Sequence, residues 1–166
     1  MFVLLFITVN VYAGTEPITE VFGMKFGEEL DTQFLRRWGT YQHTTIYSFT
    51  PLNPSKLFDE YIVGATPITN KIFLVMCKRT AKDVKKEFDI MKKILLDKYG
   101  KMDTPSLEFM TETTGKTVGD VTIAVQREDS FDEETITLFY QHETYSSMAQ
   151  EETLANEVKK VDTNSF

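Results

Sequence analysis

The chain is 166 residues long, 42% hydrophobic and 26% charged, which is the balance of a soluble globular domain long enough to bury a core. Its formal net charge of −7 argues against nucleic acid and anionic membrane surfaces as partners, because both need a basic face. Cys77 is its only cysteine, so no intrachain disulfide forms and stability has to come from packing.

The opening MFVLLFITVNVYA is apolar almost throughout and too short to span a bilayer, which takes about 20 residues. It ends on Val11-Tyr12-Ala13 and turns polar at Gly14, the pattern of a secretory signal (1–13) ahead of a single domain (14–166). Such a leader implies a periplasmic or secreted protein. No Lys or Arg precedes the run, which leaves a buried N-terminal strand as the other reading.

Beyond an extended lead-in, Val21 to Phe26 reads as a short strand with glycine-permitted bends at Gly23 and Gly27. Glu28 to Trp38 reads as a weak helix, with Leu30, Phe34 and Trp38 at steps of four and Gly39 as its stop. Thr44 to Thr50 is β-branched and aromatic, hence a strand, and Pro51 and Pro54 break it into a rigid loop. Glu60 to Thr66 is the next strand, joined through Pro67–Asn70 as a hairpin to a strand apolar on both faces, Ile72 to Cys77.

There the period changes. Ala81, Val84, Phe88, Met91, Leu95 and Tyr99 recur at helical steps, with Ile94 widening the stripe and lysines on the other side. Thr80 with Asp83 resembles a capping box, and Gly100 ends the helix. After it, Ser106 to Thr113, Val118 to Glu128 and Thr135 to Glu143 read as strands, with turns at Gly115 and at the acidic Asp129 to Glu134. Ser147 with Gln150 reads as a capping box for a second helix with the stripe Met148, Leu154, Val158 and Val161.

The order is strand–strand–strand–helix, twice. It predicts an α+β fold: a two-layer domain with a mostly antiparallel sheet and both helices on one face.

The phrases Phe22-Gly23-Met24-Lys25-Phe26-Gly27, Tyr47-Ser48-Phe49-Thr50-Pro51, Phe58-Asp59-Glu60-Tyr61-Ile62-Val63 and Leu96-Asp97-Lys98-Tyr99-Gly100 resemble those of a group of small exported bacterial proteins. That resemblance covers Phe22 to Gly100, implies export and an α+β fold, and carries no catalytic residue. The two-unit layout is loosely similar to secreted β-lactamase inhibitor proteins, a likeness of architecture that implies no function.

Candidate chemistry is sparse. Thr113-Thr114-Gly115-Lys116-Thr117 looks like the end of a phosphate loop, but Met110 stands where that motif needs glycine. Glu128, Asp129, Asp132, Glu133 and Glu134 lack the spacing of a calcium loop and read as a solvated hairpin tip. His43 and His142 form no metal-spaced pair, and Cys77 reads as a small core hydrophobe. No catalytic residue, metal or cofactor follows.

The unusual feature is an aromatic content of 13%, concentrated near the proline loop. If the sheet face away from the helices is open, Tyr47 and Tyr61 line a partner-binding surface with Phe58 at its rim. The expected function is an exported, non-enzymatic protein that binds another protein or an envelope component. A small-ligand or lipid-binding module and an exported hydrolase are the alternatives.

Overall fold

The computed structural model describes residues 16–103, 106–108, 110–129 and 133–163; the apolar opening stretch 1–13, read above as a secretory signal, lies outside them, as do the middle of the acidic tip and Phe109. The elements run β1 (Glu20–Val21), β2 (Met24–Lys25), β3 (Arg36–Tyr41), β4 (Thr44–Ser48), β5 (Glu60–Ala65), β6 (Ile72–Thr80), α1 (Val84–Tyr99), β7 (Ser106–Glu108), β8 (Thr111–Val118), β9 (Val121–Asp129), β10 (Glu134–His142) and α2 (Glu143–Thr163). Among the described residues β1 and β2 form a small hairpin. The other eight strands form one antiparallel sheet in the order β3-β4-β5-β6-β10-β9-β8-β7. The α+β class therefore holds, and the chain is two antiparallel meanders, each followed by a helix.

The two meanders meet where β6 pairs antiparallel with β10, Cys77 opposite Leu138 and Val75 opposite Tyr140. This central place explains why β6 is apolar on both sides: Phe73, Leu74, Val75, Met76 and Cys77 are all buried. Alternation sorts the sheet into two faces. Tyr61, Val63, Val75, Cys77, Ile123, Val125, Leu138 and Tyr140 share one core with the inward residues of α1. Ile46, Ile62, Leu74 and Met76 share another with Ala149 of α2.

The expectation of both helices on one face is thus corrected: they lie on opposite faces. A two-fold axis through the β6–β10 pair would put them together, so the two units are alike in order but not in space. The physical reason is room. On the α1 side, α1 covers β9 and β10, while Phe22, Phe26, Phe49 and Phe58 fill the space over β5 and β6. The chain leaving β10 goes directly into α2 and takes the other side, where Gln141 Nε2 donates to Ser146 Oγ.

α1 follows the apolar stripe. Val84, Phe88, Met91, Leu95 and Tyr99 are buried, each contributing about 1.5–3 kcal/mol, while Ile94 faces outward. Its N-cap is Asp83, whose carboxylate accepts from the Lys86 amide. Thr80 is not part of a capping box, since it ends β6 and donates to Glu133. At the other end Lys116 Nζ donates to the Tyr99 carbonyl, a cation on an orphan acceptor at the negative end of the helix. Gly115 is no turn residue either. It sits inside β8, where an added Cβ would come within 2.8 Å of the Ile123 carbonyl, so close strand approach requires it.

The weak helix expected over Glu28 to Trp38 is absent. Residues 27–30 run beside the start of β6, with Gly27 N donating to Ile72 O, Ile72 N to Glu28 O and Leu30 N to Asn70 O. Those bonds use the backbone groups a helix would have needed. Phe34 is 90% exposed, and Trp38 belongs to β3.

Candidate functional site

A cleft of about 480 Å3 lies at one end of the sheet, between β3 and the proline loop 51–59. Arg36, Arg37 and Trp38 form one wall; Pro51, Pro54 and Phe58 form the other; Asp59, Glu60 and Tyr61 lie at the base.

Three local devices build it. Gln42 and His43 both adopt left-handed backbone (φ 47 and 64), the geometry of a tight hairpin turn, and this fixes β3 against β4. The register then shifts between Arg37 and Gly39, a bulge that re-aims Trp38 outward. Trp38 is 44% exposed, and Lys78 Nζ stands 5.9 Å from its ring centroid, a cation–π contact. Finally, the Tyr61 hydroxyl accepts from Ser55 N at 2.6 Å and donates to Ser55 O at 2.9 Å, which pins the proline loop to β5.

The electrostatics of the walls differ. Asp59 is engaged, its carboxylate accepting from the Thr80 amide. Arg79 and Arg127 elsewhere are in ion pairs with Glu87 and Glu112, but Arg36 and Arg37 make none among the described residues. Arg36 and Arg37 thus line the cleft without an ion pair, beside an outward tryptophan and together with Asp59 and Glu60, in a chain of net charge −7.

The cleft takes in Phe58 and Tyr61 but not Tyr47. Phe58 and Tyr61 are 9% and 6% exposed, members of an aromatic cluster with Phe22 and Phe49 on the α1 side of the sheet. Only their edges reach the cleft. Tyr47 is half-buried against the same core and borders a separate small recess with Thr45 and Asn70. The expected open tyrosine surface is therefore corrected: the partly open sheet face is the α2 side of β8 to β10, and it carries Thr113, Thr122, Gln126 and Thr137. Arg36, Arg37 and Trp38 were missed because they fell inside a false helix. The usable signal was Gln42-His43 between two β-prone runs, which marks a hairpin and makes 36–41 its first strand.

The other candidates resolve into structure. Burial pushes the Cys77 thiol up to about 12, so it stays protonated at neutral pH and is no thiolate nucleophile. His142 lies four residues further along β10 than the Cys77 partner Leu138, packed between Phe26 and Tyr145. His43 is exposed at the hairpin turn. Of the acidic tip, Asp129 pairs with Arg127 and Glu133 with Lys78. Among the described residues no helix is long and apolar enough to cross a membrane.

In comparisons with protein-family models, characterised proteins and solved structures, nothing matched this chain.

Proposed function

We propose that this chain is an exported, non-enzymatic binding protein that docks another protein or an envelope component at the β3–proline-loop cleft. The observation that carries the reading is the bulge that turns Trp38 outward beside the unpaired Arg36 and Arg37. Phe34, two residues upstream of Arg36, is 90% exposed, and Leu52, between the two prolines, is 94% exposed. Large apolar side chains held in water at Trp38 and on the two segments that flank the cleft support a surface covered by a partner. The apolar leader supports export.

The test is capture from envelope extract with wild type and with a Trp38→Ala/Arg37→Glu variant. Both positions are exposed, so the variant should fold. A partner held by wild type and lost by the variant supports the cleft; equal recovery of every captured protein rejects it. Tyr61→Ala is a poor probe, because it removes a core residue and the tie to Ser55.

A further inference from the structure

A second concavity lies on the α1 side, between the proline loop and α1. Its volume is about 390 Å3, within the range of small-molecule sites. Its floor is apolar and buried: Phe58, Met91 and Ile136. Leu57 and Ile90, 41% and 48% exposed, form two apolar lips. Phe58 is the wall between this slot and the Trp38 cleft, and the remaining lining residues are its own.

The mouth is positively charged. The acidic groups there are already engaged: Asp83 caps the Lys86 amide, and Glu87 holds Arg79 at 2.7 Å. Lys82 and Lys86 have no ion pair among the described residues. The outer surface of α1 continues the same pattern, with Lys85 and Lys93 unpaired around Ile90 while Asp89 is held by Lys92. Lys85 and Lys86 stand in the first turn of α1 and Lys82 just before its cap Asp83, where the macrodipole disfavours cations. Helix stability does not account for them.

We propose that this slot binds a long-chain carboxylate as a single molecule, its hydrocarbon laid on Phe58, Met91 and Ile136 between Leu57 and Ile90, and its carboxylate between Lys82 and Lys86. An apolar floor selects a hydrocarbon, and a mouth of unpaired lysines selects the anionic member of a set of equal chain length. The inference uses none of Arg36, Arg37 or Trp38 and stands whether or not the cleft docks a partner.

The experiment is an NMR titration of the full chain with decanoate below its micelle concentration. Decyltrimethylammonium serves as the cation of the same chain length, and acetate as the headgroup alone. Decanoate should give saturable shifts at Ile90, Met91 and Ile136, with binding at least about tenfold weaker for the cation and none for acetate. Lys82→Glu/Lys86→Glu should weaken decanoate by a similar factor while leaving the melting temperature equal or higher, since acids suit a helix start. Ile90→Asp should keep the fold and lose the shifts. No decanoate binding, equal binding of the cation, unchanged affinity in the double lysine variant, or binding to anionic vesicles without binding of monomeric decanoate would each overturn the proposal.

Discussion

α1 and α2 are attached to the same sheet by different chemistry. α1 buries Val84, Phe88, Met91, Leu95 and Tyr99 against β9 and β10 and is also fastened by charge. Glu112 takes Arg127 at 2.8 Å and Lys92 at 3.6 Å, with both cations lying over the Phe88 ring. α2 is longer but, apart from Tyr145 at its start, meets the sheet chiefly through small and polar groups. Ser146 and Ala149 are buried, Thr153 lies near Thr44, and Glu152 reaches the β5–β6 turn. One helix is held by apolar area and the other by close approach and hydrogen bonds. The two should respond to different perturbations.

The largest difference is expected from truncating the α1 seam. Phe88 is 1% exposed at the centre of its core, and Phe88→Ala should destabilise the protein by about 3–5 kcal/mol, seen as a lower urea midpoint. A loss under about 1 kcal/mol would mean that α1 is not the principal closure of that core.

On the α2 side the sensitive change is enlargement. Ala149 is 2% exposed between Ile46, Leu74 and Met76, and Ala149→Leu should cost about 1–3 kcal/mol by overpacking. Amide exchange should place the damage in α2 and leave α1 protected. Uniform loss of protection across both helices would show that the two faces unfold as one unit.

This contrast also explains which parts of the structure were legible in the sequence. α1 and β6 were, because their residues announce themselves: a stripe at helical steps, and a run apolar on both sides. The class and the strand–helix order followed from them. α2 was found but turned wrongly. Of its expected stripe, Met148 is half-buried against Thr69, but Leu154 and Val158 are 61% exposed and the side chain of Val161 lies outside the described ones; the seam runs through Ser146, Ala149 and Thr153. Hydrophobic periodicity cannot point to a seam made of small and polar groups. The false helix at 28–38 failed for a related reason: Leu30, Phe34 and Trp38 have helical spacing, yet only Leu30 is buried. Long-range pairing with residues 70–72 decided that segment, and no local pattern encodes it. The Trp38 cleft inherited that error.

A smaller effect is expected at the polar latch of α2. Glu152 accepts from Ile68 N at 2.6 Å, Thr69 N at 3.0 Å and Thr69 Oγ1 at 2.6 Å. Burial alone raises its carboxyl, but these hydrogen bonds outweigh burial and hold it below its ordinary value of 4.5. A carboxyl held low in the folded state contributes stability that is present above its unfolded pKa and lost as pH falls through the folded one. The contribution of Glu152 is therefore complete at neutral pH and fades below about pH 4.5. Glu152→Gln should cost about 1–2 kcal/mol at pH 7 and flatten that part of the stability curve. If wild type and variant lose stability in parallel between pH 5 and pH 3, the latch does not exist (a pH range of roughly this width brackets the ordinary carboxyl pKa).

The smallest effect, expected at Leu154 and Val158, is also the sharpest check on how α2 lies. A helix held by its apolar stripe would bury both, and replacing them by serine would cost several kcal/mol, at about 1.5–3 each. A helix seated on Ser146 and Ala149 leaves them in water. Leu154→Ser/Val158→Ser should then stay within about 0.5–1 kcal/mol of wild type, chiefly from helix propensity. Comparing the urea midpoint at low and at high protein concentration extends the test. A large loss at both concentrations would mean that α2 is turned and the small-residue seam is wrong. A loss that appears only at high concentration would mean that a second copy covers Leu154 and Val158. No loss at either leaves α2 seated by Ala149 and Glu152, the mirror of α1 in position and its opposite in chemistry.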